Sequence, residues 1–226
     1  VRNSFSLIRP PGHHAGRSYG GGFCYLNNVA IMVNYVRNAG FGKVMIIDWD
    51  AHHGNGTEDI FYEDPDVLYI SIHQSHLFPG TGPITSTGSG EGRGFNINMP
   101  VPPGSSDDVY CYLTEEIIVP AAVEFKPDFI AVSAGQDNHF TDPLSEKLCG
   151  GRISAVLEGG YGVEGALPYV NLAIIASLAG LDTSGIREPA SYESLLKSEL
   201  NDRAPEITKK MVEKLRKVHS DYWSFL

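Results

Sequence analysis

Two kinds of apolar pattern alternate along the chain. Near-continuous, β-branched runs stand at Val44 to Ile47, Val67 to Ile72, Phe129 to Val132 and Ile153 to Leu157. Runs without polar alternation are what strands buried on both faces look like, so they predict a parallel sheet. Helical spacing lies between and beside them. Asn27 to Asn38 carries Val29, Ile31, Met32, Tyr35 and Val36, and Gly40 stops it. Ser105 with Asp108 resembles a capping box ahead of a helix over Val109 to Val123, interrupted or kinked at Pro120. Asn171 to Leu178 continues the scheme. Ile207, Met211, Leu215 and Val218 form an apolar stripe on a last helix, expected to pack on the core. Thr81 to Gly94 is a Gly/Ser/Thr-rich loop. The alternation predicts one α/β domain with a mainly parallel central sheet flanked by helices.

Composition narrows the function. A chain of 226 residues can bury a sizeable core, and with 42% hydrophobic and 19% charged residues it is not a disordered polymer. The formal charge of -10 disfavours direct nucleic-acid binding and is compatible with a cationic substrate. No apolar stretch suggests a membrane span and no charged-then-apolar leader is seen, so neither membrane association nor export is expected. Cys24, Cys111 and Cys149 are scattered and form no CxxC. They predict buried thiols in a reducing, cytoplasmic setting.

Candidate chemistry begins where the first apolar run ends, at Asp48-Trp49-Asp50-Ala51-His52-His53. Side chains alternate along a strand, so Asp48 and Asp50 share a face, and His52 joins them if the extended geometry continues. Two carboxylates in a low-dielectric interior call for a positive charge beside them. A divalent metal held by Asp50 and His52 supplies one, with Asp48 as an outer partner or a monovalent-cation ligand; a hydrogen-bonded strand end without metal is the plain alternative. Gly54-Asn55-Gly56 then turns the chain, which puts the motif at the C-terminal end of a parallel strand, where such sheets bind ligands. A catalytic zinc site takes three protein ligands and keeps an open position. Asp137, after the run Phe129 to Val132, is the natural third ligand. Tyr161, after Gly159-Gly160, is presented at the same rim. His13 and His14, on the stiff loop Arg9-Pro10-Pro11-Gly12, are either further ligands or an acid-base pair. Gly20-Gly21-Gly22-Phe23 and Phe78 offer two rings for a slot that takes a slender apolar chain, unless each ring is simply core.

RPPGHHAG, GGGFCYLNN, DWDAHHGNGT, YISIH, FPGTG, SAGQD and LEGGY occur in this order. The set closely resembles the zinc-dependent histone deacetylase family, with its acetylpolyamine amidohydrolases and acetoin-utilisation deacetylases, over roughly Ser4 to Gly162; DWDAHHGNGT is closer to the class II branch. The resemblance implies an arginase/deacetylase-like fold and one catalytic Zn2+ held by Asp50, His52 and Asp137. It implies that His13 and His14 are the catalytic pair, His14 moving the proton, and that Asp48 hydrogen-bonds His13. A structural K+ is implied at Asp48, Asp50, His52, Ser71 and nearby carbonyls such as that of Ile72. Tyr161 would donate to the oxyanion. Phe23 and Phe78 would wall the acyl-lysine tunnel, with the Gly22 carbonyl near the amide. The reaction implied is hydrolysis of an acetylated lysine or acetylated polyamine.

The chain also departs from the pattern. Asn55 stands where class I enzymes carry aspartate, and Gln136 where an apolar residue is commoner. Residues 1–226 are expected to be one deacetylase catalytic domain lacking an N-terminal segment and a segment near 144–150. Fe(II) or Co(II) also suits these donors. A binuclear manganese ureohydrolase and an inactive acyl-lysine binder are the rival readings. Oligomeric state is left open.

Overall fold

The computed structural model describes residues 2–136, 152–161, 166–187 and 201–226. Among them are six strands: β1 (Asn3–Ser6), β2 (Val44–Asp48), β3 (Val67–Gln74), β4 (Asn96–Val101), β5 (Phe129–Ala134) and β6 (Ile153–Leu157). They form one sheet in the order β1-β6-β5-β2-β3-β4, every neighbouring pair parallel. All four apolar runs are strands. β1 and β4 were not foreseen: NSFS and NINMPV are short and interleaved with polar residues.

Alternate residues of β2, β3 and β5 feed two cores. Met45 and Ile47 of β2, with Leu68 and Ile70 of β3, face a large core closed by Val109, Leu113, Ile117 and Leu215. Val44 and Ile46, with Val67 and Tyr69, face a smaller one closed by Val29 and Val33 of helix α1 (Asn28–Asn38) and Phe61 of helix α2 (Asn55–Phe61). With both faces covered, the strands have no reason to alternate apolar with polar residues. Asn27 caps α1 by accepting from the Ala30 amide at 3.0 Å.

Three sequence expectations need correction. The capping box does not form. Helix α3 (Asp107–Leu113) starts after Ser106, whose hydroxyl donates to Asp108, while Ser105 donates to the Pro102 carbonyl at 2.7 Å. The interruption at Pro120 is a π-helical turn, Thr114–Ile118, leading into α4 (Val119–Phe125). Proline lacks an N–H and crowds the carbonyl four residues back, and the wider turn just before it accommodates both. In the last helix, Ala204–His219, the buried face is Ala204, Thr208, Met211, Val212, Leu215 and His219, whereas Ile207 is exposed and Val218 half-buried. A polar Thr208 and His219 inside that face hid it from a count of apolar residues.

From β2 the chain moves through α2 to β3 and β4 on one side of the sheet. From β5 it moves to β6 on the other. The connections therefore part at the C-terminal ends of β2 and β5, the kind of crevice where open parallel sheets bind ligands.

Candidate active site

β2 ends at Asp48, so the extended geometry does not carry His52 to Asp50. A side-chain turn does. Asp50 Oδ1 accepts the His52 amide at 2.8 Å, as aspartates do two residues ahead of themselves, and this folds the chain back until His52 Nδ1 lies 3.1 Å from the same oxygen. The other oxygen, Oδ2, accepts the Gly159 amide at 2.8 Å, from the segment leaving β6. The expected sharp turn after His53 is the start of α2, which has Gly54 at its N-cap and no side-chain cap. Instead the His13 carbonyl accepts from the Gly56 and Thr57 amides at 3.0 and 3.1 Å. That approach requires glycine at 56, because a Cβ there would lie 2.4 Å from Ala15. The helix end and the histidine loop therefore fix each other.

The positive charge demanded beside Asp48 and Asp50 is supplied within the described residues by His13. Its Nδ1 is 3.0 Å from Asp48 Oδ2 and its Nε2 is 3.8 Å from Asp50 Oδ1. Burial opposes a charge on this ring, but the Asp48 and Asp50 carboxylates outweigh it and hold the imidazolium well above its ordinary pKa. Asp48 is fixed in turn by the Tyr69 hydroxyl at 3.0 Å, a donor not foreseen inside the YISIH strand.

His14 is the opposite case. Its ring centre is 4.1 Å from that of His13. Burial, followed by the charge on His13, pushes it down to about 4. Its Nδ1 lies 2.8 Å from Asn55 Oδ1. An amide oxygen only accepts, so Nδ1 carries the hydrogen and Nε2 is left as the basic nitrogen. Two adjacent histidines are thus pushed in opposite directions, His13 toward the cation and His14 toward the neutral ring.

Asp50 is buried and its carboxyl is held below the usual carboxylate range. Burial opposes this, and His13 together with the hydrogen bonds from His52 and Gly159 outweighs it. An ionised oxygen facing an imidazole nitrogen is a donor pair of the type that zinc takes. Asp137 lies outside the described residues, and among the described residues no group of three such donors converges. Asp48 pairs across the sheet with Ser71, whose hydroxyl contacts His73 Nδ1 at 2.8 Å; Ile72 follows it in β3.

Around these groups stands an exposed aromatic rim: Phe23 is 74% accessible, Tyr161 57% and Phe78 53%. Phe78 packs edge-on to His14 at 5.1 Å, and Phe23 to Tyr161 at 6.3 Å. Neither wall ring is core. Gly22 has φ +53°, and a Cβ there would lie 2.3 Å from the His14 ring.

The sequence reading assigned nothing to Glu158 or Arg9. Glu158 is buried and Arg9 exposed, and both are tied into this region by contacts with residues far away in sequence, which leave no signature in a single sequence. The same holds for Glu58 and His53, 3.1 Å apart beneath the Phe78 loop.

The histone deacetylase domain signature matches residues 1–147. The chain is 52% identical over 241 residues to a probable deacetylase of Archaeoglobus fulgidus, a match covering 98% of the chain and 67% of that protein. It is 38% identical over 209 residues to a histone deacetylase-like amidohydrolase of Pseudomonas aeruginosa, covering 83% of the chain and 54% of the relative. The crystal structure of the HDA15 HD domain superposes with a TM-score of 0.84 at 33% identity, over 100% of the chain and 64% of that structure. The parallel sheet with helices on both faces is therefore the arginase/deacetylase fold. This chain belongs to the histone deacetylase family, whose relatives here are deacetylases and amidohydrolases. It spans between about half and two thirds of the length of the relatives named.

Proposed function

We propose that this chain is the catalytic domain of a zinc-dependent deacetylase that removes acetyl groups from lysine side chains of proteins such as histones. The observation that carries the reading is the geometry of the histidine pair beside Asp50 and His52: His13 Nδ1 lies 3.0 Å from Asp48 and His14 Nδ1 2.8 Å from Asn55 Oδ1, which leaves His14 Nε2 as the basic nitrogen. Fixing the tautomer of one ring in this way is unnecessary for packing or for binding alone, whereas proton transfer needs a neutral base at a defined nitrogen. Asp50 and His52 would hold the zinc ion, with Asp137 as third ligand, and His52 would give up its Nδ1 proton to do so. Bound there, zinc would supply Lewis-acid polarisation of the acetyl carbonyl and of water.

The chain's own residues do the rest. His14 Nε2 takes the proton from the attacking water and returns it to the departing amine. His13, kept charged by Asp48, stabilises negative charge beside it. Tyr161 donates to the oxyanion, and Phe23 and Phe78 bury the lysine methylenes at about 0.8 kcal/mol each. A structural potassium ion at Asp48, Asp50, His52, Ser71 and the Ile72 carbonyl belongs to the same proposal, as do a cytoplasmic setting and a domain shortened near 144–150. The match over 241 positions against a chain of 226 supports the shortening, because the relative carries residues this chain lacks.

An acetylpolyamine substrate would use the same residues. A binuclear manganese ureohydrolase would need further ligands beyond His52. His53 is instead engaged with Thr81 and Glu58, and Asn55 with His14. The test is hydrolysis of a fluorogenic acetyl-lysine peptide and of acetylspermidine, with and without chelator, followed by zinc add-back. Chelator-sensitive turnover of the peptide is expected. Turnover indifferent to chelation removes zinc, and turnover of the polyamine alone removes the protein substrate.

A further inference from the structure

The site is assembled from segments far apart in sequence, and the turn after β6 touches each of them. Glu158 is fully buried. Its Oε2 accepts the Gly12 amide at 2.7 Å and the His13 amide at 3.0 Å, and its Oε1 accepts the Ser133 hydroxyl at 3.2 Å. In return Arg9, on the histidine loop, donates through Nη1 to the Glu158 carbonyl at 2.9 Å and through Nη2 to the Gly160 carbonyl at 2.5 Å. The same guanidinium lies 5.5 Å from the Tyr161 ring centre. Between these contacts, the Gly159 amide donates to Asp50 Oδ2.

A carboxylate sunk this deep is costly unless its oxygens are occupied. Here they are, by two backbone amides of the histidine loop and by the Ser133 hydroxyl rather than by a cation. We propose that Glu158 and Arg9 form a reciprocal clasp that sets the histidine pair, Asp50 and Tyr161 in register, each acting as a positioning residue and neither touching substrate. This rests on the deacetylase reading for its catalytic consequence, though not for its geometry. The clasp needs an acceptor oxygen at position 158 rather than a negative charge. A glutamine there presents its carbonyl oxygen to the two amides and turns its NH2 group to the Ser133 hydroxyl, which can accept.

The experiment compares wild type, Glu158→Gln, Glu158→Ala and Arg9→Lys in the full chain. It measures kcat and KM on an acetyl-lysine peptide and amide hydrogen exchange at Gly12 and His13. Loss of register by about 1 Å costs about 10²-fold in rate. Glu158→Ala should therefore lower kcat by about that factor, with KM within about threefold because the aromatic slot is untouched. Its Gly12 and His13 amides should exchange freely, and Glu158→Gln should restore both protection and most of kcat. Arg9→Lys keeps the charge but loses the fork. It should lower kcat without changing KM, and it serves if Glu158→Ala does not fold.

The proposal is overturned if Glu158→Gln is as impaired as Glu158→Ala, if the amides stay protected in Glu158→Ala, or if KM rises as kcat falls. Should the wild type hydrolyse no acetyl-lysine, the functional reading fails, and amide exchange alone still decides the clasp.

Discussion

Replacing Asn55, whose Oδ1 lies 2.8 Å from His14 Nδ1, by aspartate exchanges one heavy atom, the amide nitrogen for an oxygen, and adds one charge. The variant keeps the acceptor that fixes the tautomer, so its effect is electrostatic. With charge centres about 4 Å apart and an effective dielectric of about 20, the attraction for an imidazolium is about 4 kcal/mol. At about 1.4 kcal/mol per unit, that bounds the rise in pKa at about three units. Measured carboxylate neighbours give about one to three. Starting from about 4, His14 in the variant should titrate between about 5 and 7. The sign follows from the role proposed for it: His14 must be neutral to accept a proton, so raising its pKa moves the acidic limb of kcat/KM upward. Activity near pH 6 should fall while activity near pH 8 is largely kept. The assay is the pH profile of kcat/KM, with the His14 ring protons followed by NMR as a readout independent of turnover. An acidic limb that stays put while the NMR pKa of His14 rises would show that another group limits the rate at low pH. A His14 pKa unmoved by the new carboxylate would refute the electrostatic argument itself.

Other perturbations act on separate parts of the structure. Tyr161→Phe should lower kcat by about 10²-fold or more, as loss of an oxyanion donor does; full turnover would remove Tyr161 from that role. Zinc affinity, measured by competition titration, should weaken as pH falls, with protons released on binding, because Asp50 and His52 must both be unprotonated to bind metal. A pH-independent affinity would place the metal elsewhere. Gly22→Ala should cost most of the activity even at saturating substrate, since its Cβ would lie 2.3 Å from the His14 ring; an active, folded variant would show that this loop yields. Among the described residues neither ring nitrogen of the buried His219 has a hydrogen-bond partner, and burial lowers it to about 4. The unfolded chain takes up a proton that the native state refuses, so stability is lost as pH falls from about 6.5 toward 4, by up to about 3 kcal/mol. His219→Leu should flatten that acid limb in urea unfolding.

Long-range order was legible wherever one physical demand dominated. Strands buried on both faces must be apolar throughout, and VMII, VLYISI, FIAV and ISAVL could be found without knowing their partners. β1 and β4 sit at the two sheet edges, where the demand relaxes, and their sequences are correspondingly mute. The site shows the same division. Asp48, Asp50, His52, His13 and His14 announced themselves because clustered ionisable residues at strand ends are expensive without a purpose. The means by which Asp50 and His52 meet was misread, because a two-residue side-chain turn and an extended strand both bring alternate residues together. Glu158, Arg9 and Tyr69 were illegible for a different reason. Each works on a backbone group or on a side chain far away in sequence, and only the folded chain reveals the distance.

The electrostatics of the crevice give the arrangement its logic. Asp48, Asp50 and Glu158 bring three carboxyl groups into a region from which water is largely excluded. Burial pushes Glu158 up to about 7, against the opposing pull of His13. The Glu158 carboxyl thus gives up charge more readily than that of Asp50, and its Oε2 is taken by two amides that remain satisfied in either state. Asp50 is the reverse. Its two oxygens are turned toward His52, His13 and the Gly159 amide, and it stays ionised. One imidazolium cannot neutralise both Asp48 and Asp50, so the crevice keeps a negative potential at the face of Asp50 that meets His52. A cation entering there gains from that potential, and its arrival lowers the need for charge on His13. The affinity of the site for metal and the protonation of the histidine pair are therefore linked. Metal binding should lower the His13 pKa, and Asp48→Asn, which removes the carboxylate that His13 satisfies first, should lower it further and weaken metal binding by less than Asp50→Asn does. Zinc competition titrations on the two variants check the order. If Asp48→Asn costs the metal as much as Asp50→Asn, the two carboxylates share one cation, and the division of labour argued from the distances fails.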